Sequence, residues 1–65
     1  MNIQLNGEKT ETTSRTVAEL LRETNAPDSG VAVALNGDVV RRGEWESTAL
    51  KDNDEIEIIR AVQGG

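Results

Sequence analysis

The sequence predicts an α+β fold, a mixed sheet of four or five strands packed on one main helix. Three observations carry that expectation. Apolar side chains alternate with others through Met1 to Leu5 and Val31 to Leu35, and recur in Ile56 to Val62, as strands require. Between the first two stretches, Thr16 to Thr24 changes to the period of a helix. Two Asn-Gly pairs, Asn6-Gly7 and Asn36-Gly37, stand where hairpins would turn, because both turn positions must accept positive φ.

Taken in order, Met1, Ile3 and Leu5 form the inward face of a first strand. After Asn6-Gly7, Glu8 to Thr12 mixes charges and threonines, the composition of a polar return strand at a sheet edge. Thr16 and Glu19 have the spacing of a capping box, with Thr16 as N-cap and Glu19 reaching back to its amide. Val17, Leu20, Leu21 and Thr24 then share one helical face, and Pro27 is expected to stop the helix before a loop through Asp28, Ser29 and Gly30. Val31, Val33 and Leu35 face one way on the next strand, and Ala32 and Ala34 the other. Val39 and Val40 begin its return, closed by Arg41, Arg42 and Gly43. Glu44 to Asp54 has no sustained period; Trp45 and Leu50 are expected against the core, ahead of a polar turn at Asp52 to Asp54. A last strand turns Ile56 and Ile58 inward and Glu57 and Ile59 outward, and runs on to Val62.

One helix on such a sheet buries Ile3, Leu5, Val17, Leu20, Val33, Leu35, Leu50, Ile56 and Ile58 together. That is the β-grasp architecture. The expected organisation is one domain over 1–62 and a flexible tail over 63–65.

Composition limits what such a chain can do. Its 65 residues leave room for one small core, and with no Cys and no His there is neither a disulfide nor a zinc site of the usual kind. A net charge of −5 argues against nucleic acid and against an anionic membrane surface as partners. No apolar run approaches the roughly 20 residues of a membrane span, and no secretory signal is visible, which together with the lack of cysteine suggests the cytoplasm. Without Cys, His or Tyr, the common nucleophile–base pairs cannot be assembled. Ser14, Ser29 and Ser47 read as turn and cap residues, Trp45 as a core cover, and the acidic run Asp52, Asp54, Glu55 and Glu57 as an exposed turn ahead of a strand.

Two features remain. The first is the outward face carrying Ala32, Ala34, Ile59 and Ala61, next to Val62: an uncovered sheet face is ordinarily polar, so apolar residues there point to a partner-docking surface. The second is the ending AVQGG. Frayed ends are common. These glycines, however, directly follow a strong strand, and without Cβ atoms Gly64 and Gly65 can thread a channel that other residues would block. The group such a tail delivers is the α-carboxylate of Gly65. A carboxylate is a poor electrophile until activated, for instance as an acyl-adenylate, and nothing in the sequence suggests an ATP site. The activating machinery is then another protein, and this chain is a carried substrate and no enzyme.

The segments TVAELL, VAVALNG, EW and DNDEIEIIRAVQGG resemble the ThiS family, the ubiquitin-like sulfur carriers of thiamine biosynthesis, over nearly the whole chain. Arg41 is a departure, standing where many members of that family would carry proline. The resemblance implies a cycle. A ThiF-like enzyme uses ATP to adenylate Gly65, a persulfide donor supplies sulfur to make a C-terminal thiocarboxylate, and a ThiG-like thiazole synthase takes the sulfur for the thiazole ring. Gln63, Gly64 and Gly65 would enter the partners' active sites. The carrier would bind no cofactor of its own and would be a monomer between encounters. Other readings of the same features are a carrier for another acceptor such as molybdopterin, a ubiquitin-like protein modifier, and a β-grasp interaction module.

Overall fold

The computed structural model describes residues 1–26 and 30–60. Among them are five strands: β1 (Asn2–Leu5), β2 (Glu8–Glu11), β3 (Val31–Leu35), β4 (Asp38–Val40) and β5 (Glu55–Arg60). They form one sheet in the order β2-β1-β5-β3-β4, and one helix, α1 (Val17–Glu23), packs on it. The β1–β5 pair is parallel and the other pairs are antiparallel, so the sheet is mixed and the fold is the expected β-grasp. β5 lies at the centre, and the charged β2 lies at an edge as its composition predicts.

Both hairpins turn where expected. Asn6 and Gly7 have φ of 52° and 82°, and Asn36 and Gly37 have 51° and 89°, the left-handed pairs a two-residue turn demands. Ile3, Val17, Leu20, Leu21, Val33, Leu50 and Ile56 make the buried cluster, each side chain contributing about 1.5–3 kcal/mol by leaving water. Leu5, Leu35 and Ile58, expected inside, are only partly buried. Leu5 and Leu35 are the last residues of their strands and pack against the cluster from its edge. Ala18, Leu21 and Val40 join the buried set.

The helix begins as its capping residues dictate but closes differently. Thr16 Oγ1 accepts the Glu19 amide at 3.2 Å, while the Glu19 carboxylate takes the amide of Arg15 (2.7 Å) in place of that of Thr16. At the other end Asn25 adopts φ 59°, the Ala26 amide donates to Leu21 O (3.0 Å) and the Asn25 amide to Arg22 O (3.2 Å). That is a complete Schellman closure with Asn in the left-handed position. The helix is finished before Pro27, which with Asp28 and Ser29 lies outside the described residues.

A second difference concerns β4, which ends at Val40; Arg41, Arg42 and Gly43 do not extend it. Arg42–Glu44 instead form a 3-10 turn closed by the Glu44 amide on Arg41 O (2.8 Å). The reason is Trp45. Its indole Nε1 donates to Val40 O at 3.0 Å, and its own carbonyl accepts the Ala18 amide at 3.0 Å, so the chain turns early to seat the ring between β4 and α1. Further on, Val17 N donates to Thr48 O and Leu50 N to Arg15 O, lacing the irregular crossing to the start of the helix. The expected polar turn is present: Asn53 has φ 72°, Asp52 Oδ1 accepts the Asn2 amide (2.8 Å) and Asp54 Oδ2 accepts the Lys51 amide (2.7 Å).

Candidate functional site

β5 is the strand that aims whatever follows it. It is hydrogen-bonded on both flanks, to β1 on one side and β3 on the other, so its direction is set by the whole sheet. Ile56 is buried and Ile58 half-buried against the core, which fixes the rotation of the strand and turns Glu57 and Ile59 outward. Sequence continuity carries the chain from Arg60 into the expected tail. Ala61, Val62, Gln63, Gly64 and Gly65 lie outside the described residues.

The register assembles the predicted docking face. Ala32 pairs with Ile59, and Ala34 lies between Glu57 on β5 and Val39 on β4. Ile59 is 57% exposed and Val39 77% exposed, although both are large apolar side chains with every physical reason to be covered. Gly30, Val31, Ala32 and Ile59 line a shallow, mostly apolar depression at the same end. The structure thus brings together Ala32, Ala34 and Ile59. It adds Val39, absent from the sequence expectation: the two-residue turn sets Val40 opposite the buried Val33, and with Val40 inward strand alternation turns Val39 outward.

The same face changes character across the sheet. Gln4 pairs with Lys9 and with Glu55, and Asn2 with Glu11, so the β2–β1 half is polar and charged while the β3–β4 half is apolar. Arg41, Arg42 and Arg60 are all exposed. Among the described residues no three His, Cys, Asp or Glu side chains are grouped to hold a metal ion, and no helix is long and apolar enough to cross a membrane. Of the serines, Ser47 donates to the Glu44 carbonyl (3.2 Å), the local role expected of it; Ser14 is buried and donates to Glu23 nine residues on (2.7 Å), a tertiary contact in place of the expected turn role, and Ser29 lies outside the described residues.

Comparison with known proteins bears on this geometry. The model of the ThiS family matches residues 3–65. The chain is 35% identical over 63 residues to the sulfur carrier protein ThiS of Thermus thermophilus, covering 97% of this chain and 98% of that one. It is 33% identical over 51 residues to the sulfur carrier protein ThiS of Escherichia coli, covering 78% and 77%. A thiazole synthase of Paramagnetospirillum magneticum matches at 33% identity; the match takes in all of this chain and 20% of the synthase. Among solved structures, the crystal structure of a thiamine biosynthesis protein (ThiS) from Geobacter metallireducens superposes with a TM-score of 0.84 at 32% identity, covering both chains fully.

Proposed function

Because the chain belongs to the ThiS family, we propose that it is the sulfur carrier for formation of the thiazole ring of thiamine, working through the carboxylate of Gly65. The observation that carries this reading is the end-to-end match to a sulfur carrier protein, 97% of one chain on 98% of the other. The family match also runs through residue 65, so it takes in the diglycine.

The chemistry follows from the weakness of a carboxylate as an electrophile. A ThiF-like partner lets the Gly65 carboxylate attack the α-phosphorus of ATP, which releases pyrophosphate and leaves an acyl-adenylate. The terminal sulfur of a persulfide then attacks the acyl carbon and displaces AMP. Cleavage of the S–S bond by a thiol frees the thiocarboxylate. A ThiG-like synthase accepts the sulfur, and the carboxylate returns. The occurrence of a chain-length segment like this one inside a thiazole synthase supports that pairing. On this reading the protein is a substrate of its partners and no enzyme, binds no cofactor, and works where ATP is made available to its activator, in the cytoplasm. Gln63 and Gly64 give the carboxylate its reach, and glycine at 64 and 65 keeps the tail slender. The apolar end of the sheet, Ala32, Ala34, Val39 and Ile59 with Ala61 and Val62 after it, is the docking face beside that tail.

Intact mass measurement tests the reading directly. After incubation with a cognate activating enzyme, ATP and a persulfide donor, the chain should gain the mass of one oxygen-for-sulfur exchange. Removing Gly65 should abolish that gain while leaving the fold intact, because the buried cluster is drawn from Ile3 to Ile56. Attachment to a target lysine in place of sulfur, or loading retained without Gly65, would overturn the assignment.

A further inference from the structure

The two Asn-Gly turns do more than reverse the chain. Asn6 and Asn36 both have left-handed backbone (φ 52° and 51°), outside the extended conformation in which a strand residue offers its main-chain carbonyl to a neighbour. In each case the carboxamide takes the carbonyl's place on β5. Asn36 N donates to Glu55 O at 2.7 Å and Asn36 Oδ1 accepts the Glu55 amide at 2.9 Å, the two bonds of a closed antiparallel pair with one oxygen supplied by a side chain. Asn6 N donates to Ile56 O at 2.8 Å and Asn6 Oδ1 accepts the Ile58 amide at 2.8 Å. A parallel ladder would use the carbonyl of residue 6 for that second bond. The side chain therefore carries the β1–β5 ladder one rung past Leu5, where β1 ends.

The two devices differ in where they grip. Asn36 holds Glu55, the first residue of β5. Asn6 holds Ile58, two residues before Arg60, and on the β1 side this is the hydrogen bond furthest along β5 among the described residues. Asn6 also lines a cleft with Leu5, Thr24, Ile58 and Arg60, so it stands beside the last described residue of the strand. Without its carboxamide, β5 beyond Ile56 would be tied from the β3 side alone, where Ala34 pairs with Glu57 and Ala32 with Ile59. A strand held on one flank can splay, and splay at Ile58 is multiplied over the residues that follow.

We propose that Asn6 is a positioning residue for sulfur loading: its carboxamide oxygen, by holding the Ile58 amide, sets the direction in which β5 delivers residues 61–65 to the activating enzyme. The proposal rests on the carrier reading for its reaction, and on geometry alone for the restraint on β5. A turn asparagine chosen only for its positive φ would be replaceable by glycine, which tolerates that conformation equally well.

Three variants separate the two roles. Asn6→Gly keeps the turn and removes the acceptor, Asn6→Asp keeps an acceptor oxygen, and Asn36→Gly removes the equivalent bond at the far end of β5. In steady-state adenylation followed by ATP–pyrophosphate exchange, Asn6→Gly is expected to lower kcat about fivefold with KM for the carrier unchanged, whereas Asn6→Asp and Asn36→Gly stay within about twofold of the parent. Equal losses of kcat in Asn6→Gly and Asn36→Gly would reduce Asn6 to a stabilising turn residue and overturn its role in loading. In the isolated chain, Asn6→Gly should speed hydrogen exchange of the Ile58 amide and lower the NMR order parameters of Ile59 and Arg60, with Asn36→Gly leaving both unchanged. No change at those three amides sinks the positioning claim whatever the partner does. A parent chain that no cognate activator adenylates sinks the carrier reading separately.

Discussion

Thr12 and Ser14 are the buried polar residues of the described chain, 2% and 6% exposed, and both hydroxyls donate to the same oxygen, Glu23 Oε1, at 2.5 and 2.7 Å. Thr12 Oγ1 also accepts the Ser14 amide at 3.0 Å. The cluster pins the connection between β2 and α1 to the last residue of the helix. A carboxylate at a helix C-terminus faces the unfavourable end of the macrodipole, yet the bonds from Thr12 and then Ser14 hold the Glu23 carboxyl below its ordinary value of 4.5. Thr12→Val removes one donor and strands the Ser14 amide, and is expected to lower unfolding free energy by about 1–3 kcal/mol in urea titration at neutral pH. The sign with pH follows from the lowered value. Ionised Glu23 stabilises the folded state above the unfolded value near 4.5, and that contribution is lost as pH falls through the lower folded value. The gap between parent and Thr12→Val should therefore be constant above pH 5 and narrow at more acidic pH; a gap that widened there would contradict the role given to the carboxylate.

At the scale of elements, what the sequence made legible was local. Alternation placed the cores of β1, β3 and β5, the Asn-Gly pairs placed both turns, and Thr16 placed the start of the helix, because each of those signals acts within a few residues. The misses are where a distant partner decides. The end of β4 depends on Trp45 reaching back to Val40 O, and the bond between Ser14 and Glu23 depends on how the chain returns to the helix. The apolar sheet face proposed for docking was half legible: alternation gave Ala32, Ala34 and Ile59, while Val39 needed the register of β4 on β3. Pro27 was a plausible stop and Asn25 was the operative one, since Asn tolerates the left-handed position the closure requires. Asn25→Gly should keep or slightly raise stability. Asn25→Ala should cost about 1 kcal/mol, roughly 4–8 °C in Tm for a domain of this size by calorimetry. Equal Tm values for the two variants would mean that the left-handed residue is not what closes the helix.

For the molecule as a whole, the separation of an acidic surface from an apolar sheet end suggests how partner encounter and partner retention are divided. A net charge of −5 steers the chain toward a basic surface, an effect on association rate that salt screens over about 8–10 Å. The docking contact proposed for Val39 and Ile59, with Ala32 and Ala34, would be apolar and short-ranged, and is expected to act on how long a complex lasts. Ile59→Glu should then raise the dissociation rate from the activating enzyme or the synthase by about tenfold or more, because it removes an apolar contact and places a charge in a desolvated patch. Since Ile59 is 57% exposed in the free chain, the stability of the carrier itself should change by no more than about 0.5 kcal/mol. Glu11→Gln, on the charged edge strand, should do the reverse and alter only the salt dependence of association. Surface plasmon resonance across an ionic-strength series reads both rates. Equal affinities of parent and Ile59→Glu for both partners would remove the sheet face from the interface and leave the tail to hold the complex alone.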